Sequence, residues 1–237
     1  MASMALMTSM ATRANSNLAE IGFSLAMNIV LPAVILLRFS GETYLGPAAG
    51  LVVALSFPVS FGLYDLLRRG QFNALSVLGV VGALLTGSIG LLQLDAGWVA
   101  VKEASVPLII GLAIVVSRAT PYPIVLTLLA AAIDFDTVRS ALRESSQLAA
   151  LERRLRAVTY LVAGSFLLSA ILNYVLARII VVSQPGTVAF NEDLGRLAII
   201  SYPIIALPSL LVMWAAVVWL IAGIHRWSGL PLAKIFR

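Results

Sequence analysis

The chain alternates between long apolar runs and short polar breaks. Six runs stand out, at residues 21–39, 44–67, 74–94, 97–117, 158–180 and 197–224. A helix crossing the hydrocarbon core of a bilayer needs about 20 residues, so each run predicts one transmembrane helix. The fourth is the least regular, because Lys102 and Glu103 interrupt it. After it, Pro121 and Pro123 break the helix, and residues 124–133 form an apolar run too short to span. That run is expected at the interface or as a re-entrant segment. Residues 134–156 are polar, and Val138, Leu142, Leu148, Ala149 and Leu155 recur at roughly helical spacing with arginines between them. This pattern predicts a basic amphipathic helix over 134–157 lying on the inner leaflet.

The expected organisation is a cytoplasmic tail at 1–20, then four spans and the interfacial segment at 21–133. The amphipathic helix follows at 134–157, two spans at 158–224, and a second tail at 225–237. The fold class is all-α integral membrane.

Composition agrees with that pattern. Sixty per cent of the 237 residues are hydrophobic, only 11% are charged, and the mean hydropathy is +1.00. Soluble domains carry about 25% charged residues. There is no cysteine and a single histidine, His225, so disulfides, thiolate nucleophiles and multi-histidine metal centres have no ligands to use. No catalytic residues, metal site or cofactor are expected.

The net charge of +5 would suggest nucleic acid in a soluble protein. Here the cations lie in short breaks between apolar runs, where they set topology instead. With six spans, Arg13, Arg68, Arg69, Arg118, Arg139, Arg143, Arg153, Arg154, Arg156, Arg226, Lys234 and Arg237 fall on one side, against Arg38, Lys102, Arg178 and Arg196 on the other. The richer side is expected to be cytoplasmic, which places both termini there. Arg139, Arg143, Arg153, Arg154 and Arg156 are then candidate contacts for anionic lipid headgroups.

Several polar positions inside the runs need a physical reason. Asn28 and Asn173 must find hydrogen-bond partners in hydrocarbon, as bonds between helices or as the lining of a substrate path. Lys102 and Glu103 are neighbours and cannot face each other on a helix. Each needs its own partner, from among Arg38, Asp95, Glu192, Asp193 and Arg196, or Lys102 reaches the headgroups. These four residues form a candidate intramembrane polar site. Pro58, Pro107 and Pro203 are expected kinks. Each belongs to a Ser-x-Pro triplet, Ser56–Pro58, Ser105–Pro107 and Ser201–Pro203, and two other runs share Asn-x-Val-Leu at Asn28–Leu31 and Asn173–Leu176. Three copies of a two-helix hairpin would give this pattern, as would coincidence in so narrow an alphabet. In the third run, Gly79, Ala83 and Gly87, and separately Gly82, Thr86 and Gly90, recur every four residues. Such spacing lets backbones approach closely, and two faces of it predict a helix packed on both sides. Asp65 with Arg68 or Arg69 reads as a surface ion pair.

Two stretches carry a family resemblance. One is Leu84-Leu85-Thr86-Gly87-Ser88-Ile89-Gly90-Leu91-Leu92, continuing through Trp98 to Lys102 and the apolar helix ending at Ser117. The other is Ala163-Gly164-Ser165-Phe166-Leu167-Leu168-Ser169-Ala170-Ile171-Leu172-Asn173-Tyr174. Together they resemble the bacterial intracellular septation protein A family and its inner-membrane relatives, some labelled as transporters. The resemblance extends over roughly 45–224, with Lys102 and Asn173 the positions carried over. The longer N-terminal tail and the basic segment 134–156 depart from the family. The resemblance implies a bacterial inner-membrane protein of cell-envelope maintenance or division that acts through partners or lipids.

Two functions are therefore expected to compete. One is a non-enzymatic envelope protein engaging anionic lipids or division proteins. The other is a small-molecule or lipid transporter, working alone or as a homo-oligomer, with a polar path at Asn28, Lys102, Glu103 and Asn173.

Overall fold

In the computed structural model, residues 22–69, 74–142 and 144–236 are described. The N-terminal tail, Arg143, Arg237 and the side chains of Arg68 and Arg69 lie outside the described residues. So does any ion pair of Asp65 with those two arginines.

Among the described residues nine helices follow one another: α1 (Gly22–Arg38), α2 (Gly46–Arg69), α3 (Ala74–Leu91), α4 (Gly97–Ser117), α5 (Ile124–Ala132), α6 (Phe135–Ala141), α7 (Ser145–Ile180), α8 (Val188–Ser228) and α9 (Leu232–Ile235). The only extended pairing among the described residues is a single bridge between Ile133 and Phe236. The architecture is all-helical, and four helices are long and apolar enough to cross a membrane: Gly46–Asp65, Gly97–Ser117, Ser145–Ile180 and Val188–Ser228. The other two expected spans, Gly22–Arg38 and Val77–Leu91, are shorter apolar helices.

The exposed surface explains how such helices can be stable. On α4, Ile109, Leu112 and Val116 are more than half exposed. The opposite face buries Gly111, Ile114 and Ser117. Large apolar groups outward, over an inward face that includes a glycine and a serine, is the reverse of a soluble helix, and it suits a lipid surround.

Two departures from the sequence reading concern the basic segment. It does not form one amphipathic helix. α6 ends at Leu142, which adopts an extended conformation, and the chain from Ser145 onward is continuous with the expected fifth span. No proline lies between Ser145 and Ile180, and strong helix formers such as Ala, Leu, Glu and Arg let the helix propagate through the arginines. The apolar face of the segment is also only partly free to rest on lipid, since Leu148 and Ala149 are exposed and Leu155 is half-buried. Val138, Leu142 and Leu151 are buried with Ile133, Ile224 and Ile235. The last expected span likewise begins earlier, at Val188.

The chain forms two compact units. One contains the described part of Met1–Lys102 with Leu176–Ile200. Its core gathers Leu36, Leu51, Ala54, Ile89, Val99, Ala177, Phe190 and Leu194. In α3 the buried positions Ala83, Thr86, Gly87 and Gly90 form one stripe. The two expected packing faces therefore merge into one, while Val81, Leu84 and Leu85 point outward. The stripe is small because α2 lies against it: a Cβ on Gly90 would strike the Leu51 side chain, and one on Gly87 would lie 3.1 Å from Leu55 Cδ1.

The other unit contains Glu103–Val175 and Ser201–Arg237. Its core runs from Ile114 and Val125 through Val138, Leu151 and Val158 to Leu220 and Ile224. Gly111 allows α4 and α7 to meet closely, since a Cβ there would lie 3.3 Å from the Ala163 carbonyl. The C-terminus is tied in by the Asp134 N–H, which donates to the Ile235 carbonyl at 2.9 Å. α8 stops at Gly229, whose φ of 66° suits a left-handed cap and whose N–H donates to the His225 carbonyl at 3.0 Å.

Candidate functional site

Lys102 sits one turn inside α4 and is half-buried. Its Nζ donates to Thr86 Oγ1 at 2.8 Å. The same hydroxyl donates to the Gly82 carbonyl at 3.0 Å. Thr86 thus relays between the lysine and the α3 backbone from within the buried small-residue stripe. Glu103, the next residue, is also half-buried.

The acids expected to serve Lys102 or Glu103 have identified bonds of their own. Asp95 Oδ1 accepts the Gly97 N–H at 2.7 Å and caps the start of α4. Glu192 pairs with exposed Arg196 at 3.3 Å, a surface contact worth little by itself. Asp193 is buried, and its Oδ2 accepts the Val182 and Ser183 N–H groups at 3.3 and 3.0 Å. Asn191 is also buried, and its Nδ2 donates to the Pro47 carbonyl at 2.7 Å. These two residues pin the start of α8 to its neighbours. The sequence reading did not single out Asn191, and it offered Asp193 only as a partner for the ionisable pair.

The two asparagines expected within the membrane use the same local device. Asn28 Nδ2 donates to the Ser24 carbonyl at 2.8 Å and lies 3.3 Å from its hydroxyl. Asn173 Nδ2 does the same with Ser169, at 2.8 and 3.4 Å. Their described bonds stay within their own helices, not between helices. Asn28 lies in a π-helical turn, Ala26–Val30, where the Leu31 N–H reaches back to the Ala26 carbonyl. Pro32 follows and cannot donate to the Asn28 carbonyl. A second π turn, Tyr202–Ala206, contains Pro203. Pro58 and Pro107 lie inside α2 and α4.

The arginines of the basic segment divide. Arg139 and Arg153 are exposed. Arg154 turns onto the protein: its guanidinium stacks over Trp219 at 4.2 Å and Trp227 at 4.7 Å, and Nη1 donates to the Trp219 carbonyl at 3.0 Å. It fills the space a side chain at Gly223 would need. Arg154 is thus a packing residue of the α7–α8 contact. Trp227 also packs beside that core.

Arg156 lines a cleft of about 200 Å³ with Arg118, Pro123, Val125, Leu126, Leu129, Leu155 and Thr159. The cleft exists because the chain doubles back after α4. Ser117 Oγ accepts the Ile124 N–H at 3.1 Å and closes the turn. Arg118 is held over the Tyr160 ring at 4.5 Å and bonds the Tyr160 hydroxyl.

Among the described residues, no group of three or more His, Cys, Asp or Glu side chains is placed to hold a metal ion. No protein-family model, curated protein or solved structure matches the chain.

Proposed function

We propose that the chain is a non-enzymatic, six-span bacterial inner-membrane protein with both termini in the cytoplasm. It serves cell-envelope maintenance or division by engaging anionic lipids or partner proteins with its basic face. The observation that carries this reading is how the half-buried polar groups are bonded. Asn28 and Asn173 bond within their own helices, and Lys102 bonds the α3 hydroxyl of Thr86. Such bonds satisfy polar groups in hydrocarbon without requiring a substrate. The excess of Lys and Arg on one side, and the resemblance to the septation protein A family, support the location. α1 and α3 complete the six spans, because lipid and neighbouring helices accommodate short apolar helices at modest cost.

A repeat supports an even number of helices. Ser24 and Ser169, Asn28 and Asn173, Gly41 and Gly186, Gly50 and Gly195, Ser56 and Ser201, and Pro58 and Pro203 are all separated by the same 145 residues (173 − 28, 201 − 56). The register relates the α1–α2 hairpin to the one made by the second half of α7 with α8. Ser105 and Pro107 fall outside it, which favours two copies over three.

The test is deletion of the gene in its source bacterium, scored by cell length and detergent sensitivity. Wild type should restore both. A triple Arg139→Gln, Arg153→Gln and Arg156→Gln variant that reaches the membrane should not. A deletion strain of normal length and sensitivity would end the envelope reading.

One observation favours a second reading, transport of a small molecule or lipid. Two of the helices contain π turns, at Asn28 and at Pro203, and helix irregularities of this kind recur at functional sites and in transporters. Flux into vesicles that Asn28→Leu abolishes would favour transport.

A further inference from the structure

The cleft between α5, the C-terminal end of α4 and the Leu155–Thr159 stretch of α7 combines two chemistries. Val125, Leu126, Leu129 and Leu155 are apolar, and Arg118 and Arg156 are cationic, with no carboxylate among the lining residues. Arg118 is half-buried and Arg156 exposed, and two like charges beside one open cleft favour an anion between them. Neither arginine has an ion-pair partner among the described residues, Glu152 one turn before Arg156 included. Arg118 is positioned without being used up. The Tyr160 ring and hydroxyl fix its guanidinium, and five N–H donors leave several to spare. Arg118 also follows directly on the candidate span Gly97–Ser117, the level at which lipid headgroups begin.

We infer that this cleft holds an anionic phospholipid, with the headgroup phosphate between Arg118 and Arg156 and the first part of one acyl chain on Val125, Leu126, Leu129 and Leu155. The assignment rests on the lipid-engaging function proposed above, and it names the site and the ligand class. The volume agrees: at ~30 Å³ per water-sized group, about 200 Å³ takes a phosphate and a few methylenes, and the rest of the chain continues in the bilayer. The apolar wall selects a lipid over a free anion, which would leave that wall in contact with water. Guanidinium forks match phosphate geometry.

The experiment is retention of phospholipid by the purified full chain in nanodiscs containing phosphatidylglycerol and phosphatidylcholine, read by native mass spectrometry, with inorganic phosphate binding measured in parallel. Wild type should retain phosphatidylglycerol in preference to phosphatidylcholine. Arg118→Gln with Arg156→Gln should weaken that retention by about tenfold or more, the scale of lost charge-assisted bonds. Arg118→Lys with Arg156→Lys should keep part of it, which separates charge loss from misfolding. Leu126→Trp, which fills the apolar side, should also weaken it. Lys234→Gln removes one charge from an exposed position outside the cleft and should change nothing. Undiminished retention in the double Gln variant would overturn the site while leaving a general lipid preference standing. No preference in wild type would overturn both. Phosphate binding equal in wild type and Leu126→Trp, with lipid retention equally indifferent to that change, would make the cleft an anion site and overturn the lipid assignment.

Discussion

Lys102 Nζ and Thr86 Oγ1 are 2.8 Å apart, so the cation inside α4 is bonded to the small-residue stripe of α3. The threonine in that stripe does two things at once: it is small enough for α3 to pack closely, and its oxygen accepts from an ammonium group. Hydrogen bonds to charged groups contribute about 1.5–3 kcal/mol. Thr86→Val keeps the volume and removes the acceptor, so it should lower the melting temperature of the detergent-solubilised protein, with a loss of about 1–3 kcal/mol. Thr86→Ser should restore most of it. Equal melting of wild type and Thr86→Val would mean that the lysine draws nothing from this bond.

The same bond ranks two cations by function. Lys102 is half-buried, whereas Arg139 is exposed at the end of a short helix. In a complementation assay of the deletion strain, Lys102→Ala should impair rescue more than Arg139→Ala. Equal rescue by both variants would remove Lys102 from the candidate site.

Asn191 and Asp193 predict a stability effect at the start of α8. Asn191 is 1% exposed, and its Nδ2 adds a second donor to the Pro47 carbonyl in the first turn of α2. Asn191→Leu leaves the Pro47 carbonyl without this partner and should cost about 1–3 kcal/mol. Asp193→Ala strands the Ser183 N–H, leaves the Val182 N–H only its 3.2 Å contact with the Ile180 carbonyl, and should cost at least as much. Thermal unfolding followed by circular dichroism checks both, with exposed Arg196→Ala, whose ion pair lies at the surface, expected to stay within about 0.5 kcal/mol.

These residues mark where legibility in the sequence ends. The apolar runs were readable because hydrocarbon demands continuous apolarity, and the four longest helices overlap them. Helix ends were less readable. Arg153, Arg154 and Arg156 read as the end of an amphipathic helix separate from the span at 158–180, but nothing there stops a helix, and α7 carries straight through. Asn28, Asn173 and Lys102 announced themselves as polar groups in apolar surroundings, while the partners that satisfy them, Ser24, Ser169 and Thr86, are ordinary in such a chain. Asn191 lies just before an expected span, where polarity raises no question until its burial is known. The Arg118–Arg156 cleft depends on α5 folding back after Pro123, and no periodicity encodes that return.

Arg154 offers the sharpest test of packing by a charged residue. Its planar guanidinium is stacked by Trp219 and Trp227 and bonded to a carbonyl, against Gly223. Lysine keeps the charge but cannot stack as a plane or donate in a fork. Arg154→Lys should therefore destabilise the protein by about 1–2 kcal/mol, the sum of two modest cation–π contacts of ~0.5–1 kcal/mol each. Gly223→Val should have a similar effect by driving the arginine out of its place. In both variants the tryptophan emission should shift as the indoles lose their covering cation, and in the double variant the effects should be less than additive, since both remove the same contact. Full additivity would show that Gly223 and Arg154 act separately, and that the indole stack does not depend on the space the glycine leaves.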